Sequence, residues 1–259
     1  MKKVVILIVI AVIGAWVSTY FLLHNEPDRG TFGDMLGGLN ALFSGFAFVG
    51  VIYAIMLQSK ELFLQRNELE LTRNELAGQK EQLEAQNKTL KKQNFENTFF
   101  ALLKIQNEIT GAIDLIDGNN RVTKGRDCFQ IFYKRFSTLW NRKASSLDGD
   151  SEQERINKTY MNFFRGHESE FGHYFRSLYN IIKFIDQSDI EDKRLYTNLV
   201  RAQLSSFEQA LLFYNSLSEL GVDKFKPLIE RYSLLKTVPR NELLNPDEHL
   251  KLYEPEAYS

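Results

Sequence analysis

Residues 4–23 read VVILIVIAVIGAWVSTYFLL, and residues 35–57 read MLGGLNALFSGFAFVGVIYAIML. Neither stretch contains a charged side chain, and about 20 apolar residues in a helix span the hydrocarbon layer of a bilayer. The first stretch is longer than the apolar part of a secretion signal, and no small-residue cleavage site follows it. The sequence therefore predicts a hairpin of two transmembrane helices within residues 1–58.

The charges that flank the two helices predict how the hairpin is oriented. Lys2 and Lys3 precede the first helix, and Lys60 and Arg66 follow the second. The connecting residues 24–34 carry more acidic than basic side chains. Because positively charged loops stay in the cytoplasm, we expect a multi-pass protein whose N-terminus and C-terminus are both cytoplasmic.

Small side chains follow one face of the second predicted span. Gly37, Ala41 and Gly45 recur every four residues, and Asn40 lies beside them. Such faces allow two helix backbones to approach closely in lipid. Two interpretations remain open: helix packing inside the hairpin, and a face used for self-association or for lining a pore.

Residues 59–94 are rich in Leu, Glu, Gln, Lys, Arg and Asn, which predicts a helical stalk. Leucine recurs every seven residues, as in a coiled-coil seam: Leu62, Leu69, Leu76, Leu83 and Leu90. The complementary seam positions are unfavourable for an isolated dimer: Arg66, Arg73, Lys80 and Asn87. The stalk is therefore either a solvated spacer or a homo-oligomeric coiled coil that couples cytoplasmic domains to the membrane.

Helical periodicity and many aromatic residues predict a cytoplasmic helical bundle over residues 95–236. The first predicted helix presents one amphipathic face from Phe99 to Ile116 and ends at a loop around residues 118–120. The other predicted helices cover about 127–142, 151–165, 168–186, 190–220 and 224–236. No alternating strand pattern is present, and residues 237–259, which contain three prolines, are expected to form an irregular tail. The predicted fold class is all-α: a transmembrane hairpin, a long helical or coiled-coil stalk, and a bundle.

The sequence contains no recognisable catalytic motif, and we expect no enzymatic activity, no metal and no cofactor. His167 and His173 are six residues apart, which places them roughly 120° apart around a helix, too far to share a zinc ion. Cys128 is the only cysteine, so no disulfide forms within the chain. The net charge of -1 argues against strong nucleic-acid binding.

A cluster of polar and aromatic residues in the predicted bundle is the candidate site. Its members are His173, Arg176, Tyr179, Arg201, Ser205, Glu208, Tyr214 and Asn215. If residues 190–220 form one helix, Arg201, Ser205 and Glu208 share a face. The cluster is either a hydrogen-bonded network that fixes helix packing or a pocket that binds a partner or an anionic or planar ligand.

Several stretches together resemble a known family. They are GTFGD at 30–34 with GGLN at 37–40, FENTFF at 95–100, YFRSLY at 174–179, LVRAQLS at 199–205, LFYN at 212–215 and FKPLIERY at 225–232. From about residue 30 to the end, the chain is similar to the AbiC-like group of putative phage abortive infection proteins. The resemblance implies a bacterial inner-membrane protein that arrests or kills an infected cell. It transfers no catalytic residue.

The leading hypothesis is an antiphage effector. Its cytoplasmic bundle would sense infection through a phage protein or a defence-system partner, and its hairpin would disrupt the membrane as a homo-oligomer. One alternative is a membrane-tethered interaction or scaffold protein that acts through a cytoplasmic partner. The other is a cryptic nuclease built from Arg176, Arg201, Glu208 and nearby tyrosines.

Overall fold

The computed structural model describes residues 10, 12–14, 16–18, 21, 29–116, 120–143 and 151–259. The positions described between residues 10 and 21 are helical. The remainder of the predicted first span, 4–23, lies outside the described residues, as do residues 24–28 of the loop. The predicted hairpin is therefore described only from its second helix onward.

The first complete element is one continuous helix, α1, at Arg29–Ala112. It combines the second predicted span, the stalk and the start of the bundle, and it begins before the expected residue 35. No proline interrupts these residues, and Gly78, the one glycine of residues 59–94, weakens the helix without ending it. Among the described residues, one helical stretch, Phe43–Ala112, is long and apolar enough to cross a membrane by length and composition alone.

The chain divides into two compact units, and the first ends at Leu83. In the described part of this unit, α1 exposes its apolar side chains. The leucines at 62, 69, 76 and 83 are 55–60% exposed, so no described residue of the same chain covers the predicted seam.

The second unit, Glu84–Ser259, is mostly helical, as expected. After α1 come α2 at Asp127–Lys143, α3 at Glu152–Arg165, α4 at Glu168–Gln187, α5 at Lys193–Ala202, α6 at Ser206–Leu217 and α7 at Lys226–Arg231. The predicted helices at 127–142, 151–165 and 168–186 are confirmed to within one residue at each end. The helix predicted at 224–236 is shorter, because it ends at Arg231.

A small antiparallel hairpin of β1 (Asp114–Ile116) and β2 (Val122–Lys124) corrects two expectations: that no strand is present, and that the first helix of the bundle continues to Ile116. Strands of three residues are too short to show an alternating pattern. The chain leaves the hairpin through Gly125, whose φ of +62° suits glycine. The Gly125 N–H donates to the Ile113 carbonyl at 2.8 Å, which returns the chain to the end of α1.

The single helix predicted over residues 190–220 is wrong, because the structure has two helices there. α5 ends at Ala202 and α6 begins at Ser206. Ser205 caps α6: its side chain accepts from the Glu208 N–H, while the Glu208 side chain accepts from the Ser205 N–H. This reciprocal capping box is a helix-start signal that is readable in the sequence. Arg201 consequently lies on a different helix from Glu208 and does not share a face with it.

The core of the bundle is aromatic and is centred on α6. Every residue from Glu208 to Leu217 is buried, and α6 packs against α2 and α3. Phe132 and Phe171 approach with ring centroids 4.2 Å apart. α1 joins this core through Phe95, whose ring lies 4.8 Å from that of Tyr196. Each such pair adds about 0.5–1.5 kcal/mol beyond its area burial.

The C-terminal segment, expected to be an irregular tail at 237–259, contains short helical turns packed on the core. These are 3-10 turns at Arg240–Glu242, Leu250–Leu252 and Pro255–Tyr258, and α8 at Pro246–His249. Leu243, His249, Tyr253 and Ala257 are buried. The Tyr253 hydroxyl donates to the Phe213 carbonyl at 2.7 Å, so the tail is fastened directly to α6.

Candidate functional site

A buried carboxylate, Glu208, organises the first polar site. Its side chain is 1% exposed at the start of α6. The Tyr174 hydroxyl donates to Oε1 at 2.9 Å, and the Ser205 N–H donates to Oε2 at 2.7 Å. The Arg126 Nε lies 3.7 Å from Oε2. We call Arg126, Tyr174, Ser205 and Glu208 the Glu208 network.

Tyr174 acts as a donor in this network. Burial raises the pKa of its hydroxyl well above the ordinary value, and the charge of Glu208 and their hydrogen bond raise that pKa further. The hydroxyl therefore keeps its proton at neutral pH and holds α4 against α6. The Glu208 network thus joins helices by hydrogen bonds. Its arginine, Arg126, and its tyrosine, Tyr174, lie outside the predicted site.

The other predicted residues do not join the Glu208 network. The Arg201 guanidinium donates to the Ser233 carbonyl at 2.9 Å. Arg176 donates to the Gly172 carbonyl at 2.7 Å and lies 3.4 Å from a ring nitrogen of His173. In the described contacts, neither arginine pairs with Glu208.

Tyr179, Tyr214 and Asn215 each have separate partners. The Tyr179 ring packs edge-on against Phe225, with centroids 5.6 Å apart. Asn215 donates to the hydroxyl of the buried Tyr160 at 3.1 Å. Of the eight predicted residues, the structure thus brings together Ser205 with Glu208, and His173 with Arg176.

A second polar site joins the tail to the bundle, and of its residues the sequence analysis indicated only Tyr214. His249 is fully buried, with Nδ1 3.0 Å from the Tyr214 hydroxyl and Nε2 3.0 Å from Glu152 Oε1. The Leu244 N–H donates to the same hydroxyl at 2.7 Å. Because the Glu152 carboxylate can only accept, Nε2 carries the proton and donates to Glu152, and Nδ1 of the neutral ring accepts from the Tyr214 hydroxyl. We call Glu152, Tyr214, Leu244 and His249 the tail clasp.

Further contacts hold the carboxylate of the tail clasp. Arg155 donates to Glu152 Oε2 at 2.9 Å, and Asn245 donates to Oε1 at 3.2 Å. Burial alone would raise the pKa of Glu152, but Asn245, His249 and Arg155 together lower it below its usual value. The clasp therefore joins a charged acceptor to a neutral histidine.

Residues 166–243 match the model of a family described as putative phage abortive infection protein. The family resemblance is confirmed over this segment. No curated protein and no solved structure matches the chain. Within the bundle, the matched segment contains Tyr174, Ser205 and Glu208, and it ends before Leu244 and His249 of the tail clasp.

The small-residue face on α1 is open in the structure. Gly37, Asn40, Ala41 and Gly45 are exposed within the described part of the chain. A methyl group added at Gly37 or Gly45 would meet no described atom within 4 Å. Among the described residues, no side chain covers this face.

No group of three or more His, Cys, Asp or Glu side chains in the described ranges is placed to hold a metal ion. The polar side chains of both sites are instead used in hydrogen bonds that join helices. Their arrangement positions α4, α6 and the tail relative to one another.

We predict that stability falls as the pH decreases from about 7 to about 5.5, because buried histidines must stay neutral in the folded state. Burial lowers the pKa of His249 from its ordinary 6.5, although Glu152 partly opposes this effect. The histidine stabilises the fold fully above its unfolded pKa, and this stabilisation is lost as the pH falls through its lower folded pKa. A tenfold difference in proton affinity between the two states corresponds to about 1.4 kcal/mol. Thermal unfolding at a series of pH values measures the slope.

His249→Gln is expected to flatten this slope, since glutamine does not titrate. Burial and the charge of Arg135 also lower the pKa of His167. His167→Gln should therefore remove a separate part of the dependence of stability on pH. Glu152 loses its contribution only below its ordinary pKa of 4.5, outside the chosen range. An unchanged slope in His249→Gln would contradict the neutral, buried histidine.

Proposed function

We propose that this protein is a bacterial inner-membrane effector of abortive infection against phage. The family match over residues 166–243 carries the proposal, because that segment supplies α4 to α7 of the bundle. The continuity of α1 supports the membrane location. This one helix contains both the apolar stretch from Phe43 and the aromatic residues, Phe95 and Phe99, that pack in the bundle core.

In the proposed mechanism both termini lie in the cytoplasm, and the chain crosses the membrane twice. The bundle senses infection by contact with a phage protein or a defence-system partner. The N-terminal hairpin then disrupts the membrane as a homo-oligomer. The open face at Gly37, Ala41 and Gly45 supports self-association in lipid. The exposed leucines at 62, 69, 76 and 83 support association of the stalks.

We propose that the protein acts without catalysing a reaction and without a cofactor. This proposal is supported by the contacts of the predicted polar residues. Arg201 and Arg176 are hydrogen-bonded to backbone carbonyls, and Glu208 is buried beneath Tyr174. These groups join helices, and each has a structural partner.

Gly45→Leu is expected to abolish membrane depolarisation during infection, because leucine prevents close approach at the small-residue face. Gly50→Leu is the matched control. Gly50 is also exposed on α1, with nothing within 4 Å of an added methyl group, but it lies roughly 140° around the helix from Gly45. A voltage-sensitive dye in phage-challenged cells measures the potential, with both variants expressed at equal levels.

The outcome also separates the mechanism from its alternative. Depolarisation that persists in Gly45→Leu would contradict the role of this face. An intact potential in wild-type cells that still stop growing would contradict membrane disruption and favour the tethered interaction protein. In that case, a fragment beginning at Glu84 should retain the growth arrest.

A further inference from the structure

A small polar cavity lies inside the second unit, where α1 meets α4, α5 and α6. Its volume is about 10 Å³, which is room for one water molecule. Gln106 and Thr110 contribute from α1, Tyr174 from α4 and Glu208 from α6. The cavity is thus next to the Glu208 network but is lined by additional residues of α1.

Gln106 is the unusual member of this cavity. The residue is 6% exposed, and neither its Oε1 nor its Nε2 has a partner in hydrogen-bond geometry. Gln106 and Tyr174 line the same cavity. Buried amides in native proteins are nearly always paired with protein groups or with ordered water. The Tyr174 hydroxyl and the Glu208 carboxylate, each hydrogen-bonded to the other, have further lone pairs available.

Three side chains cover the cavity: Arg126 and Asn107, which are exposed, and Gln203, which is half-buried. Arg126 donates to Asn107 Oδ1 at 3.3 Å, and Asn107 donates to Gln203 Oε1 at 3.2 Å. Both distances are long for hydrogen bonds. The cover therefore consists of weak contacts that solvent can replace, and water can reach the cavity without unfolding of the bundle.

We propose that this cavity binds one water molecule, and that the hydrated contact is an adjustable joint between α1 and the bundle. The water hydrogen-bonds the Gln106 carboxamide and the Glu208 carboxylate, which together provide a donor and several acceptors. A buried water needs two to four polar partners, and the lining supplies them. The water satisfies both side-chain atoms that the protein leaves unpaired.

The water distinguishes this contact from the other contacts between α1 and the bundle. Phe95 and Phe99 hold α1 by aromatic packing, with Phe99 5.2 Å from Tyr196. About two to three turns further along, at Gln106, α1 meets the bundle through a water and side-chain amides, which exchange partners at little cost. The joint rests on the proposed function: a change at α4 to α6, within the matched segment, is passed to α1 here.

The first measurement is magnetisation transfer from water to the Gln106 side-chain amide, in the full chain in detergent micelles with labelled glutamine. A long-lived water at the cavity gives a cross-peak of the sign expected for a bound molecule. Gln106→Leu removes both amide atoms, and loss of the cross-peak in this variant assigns it. Gln93→Leu is the control, because Gln93 is exposed on the same helix. It should leave the cross-peak unchanged.

The second measurement is growth arrest after phage challenge. Gln106→Leu is expected to fold to wild-type levels and to lose the arrest, while Gln93→Leu keeps it. A missing cross-peak in the wild-type chain would overturn the water site. A cross-peak together with full arrest in Gln106→Leu would overturn the joint. Absence of growth arrest with the wild-type chain would overturn the proposed function. The water site would then be judged by the cross-peak alone.

Discussion

Glu208→Ala should destabilise the bundle by about 3–5 kcal/mol, because it removes one partner from a buried, hydrogen-bonded charge site. The Tyr174 hydroxyl and the Ser205 N–H both donate to this carboxylate, and both lose their acceptor. The capping box of α6 is lost at the same time, and α6 is the central buried helix. Thermal unfolding of the purified full chain in detergent, followed by the loss of helical circular dichroism, measures the effect.

Two controls identify the cause of this loss. Glu208→Gln keeps an acceptor oxygen and should destabilise less than the alanine variant. Glu219→Ala changes an exposed glutamate just after the same helix and should alter stability by less than about 0.5 kcal/mol. Equal effects of Glu208→Ala and Glu219→Ala would show that the Glu208 network does not stabilise the bundle.

The sequence predicted best those helices whose amphipathic pattern is long. α2, α3 and α4 each run for at least 14 residues with apolar positions spaced three and four apart. The pattern failed at the α5–α6 junction, where apolar periodicity continues through the break. There the capping box at Ser205 and Glu208 determines the helix start, and local hydrogen bonds decide what periodicity cannot.

α1 runs through three predicted segments. Composition changes near residues 58 and 94 marked their bounds, and one interpretation of the stalk was a helix that continues from the second span. A helix backbone ends at proline, at a cap or at a glycine turn, and a change from apolar to charged side chains is not such a signal. One helix therefore passes through all three compositions.

The sequence could predict that the bundle contains buried polar contacts, but not which distant residues form them. Tyr174 and Glu208 are 34 residues apart, and Glu152 and His249 are 97 residues apart. Helical spacing relates residues within one or two turns, so it carries no information on these pairs. Three pairs are close enough in sequence for spacing to predict their contact: Ser205 with Glu208, His173 with Arg176, and Glu152 with Arg155. The nearby Arg201 was grouped with Ser205 and Glu208 because the break between the helices was not recognised.

The family match and the fold do not end at the same residue. The matched segment stops at residue 243, while the core continues to Ala257. The Leu235 N–H donates to the Ala257 carbonyl at 3.2 Å, and Tyr253 contacts Phe213 of α6 with ring centroids 4.9 Å apart. Residues 244–259 therefore complete a core that the matched segment begins.

Deletion of residues 244–259 should prevent stable folding of the bundle. It removes the buried His249 and Tyr253 and leaves the Tyr214 hydroxyl without both partners of the tail clasp. Loss of one buried aromatic side chain alone costs about 3–5 kcal/mol, while whole domains are stable by about 5–15 kcal/mol.

Limited proteolysis of membranes from cells expressing the full chain or the truncated chain tests this deletion. We expect rapid cleavage within α2 to α7 only in the truncated protein. Tyr253→Phe serves as the control, because it removes only the hydrogen bond to the Phe213 carbonyl and should cost about 0.5–1.5 kcal/mol. A truncated chain as resistant as the full chain would mean that the matched segment folds without the tail. In that case the buried tail residues would pack on a core that is stable without them.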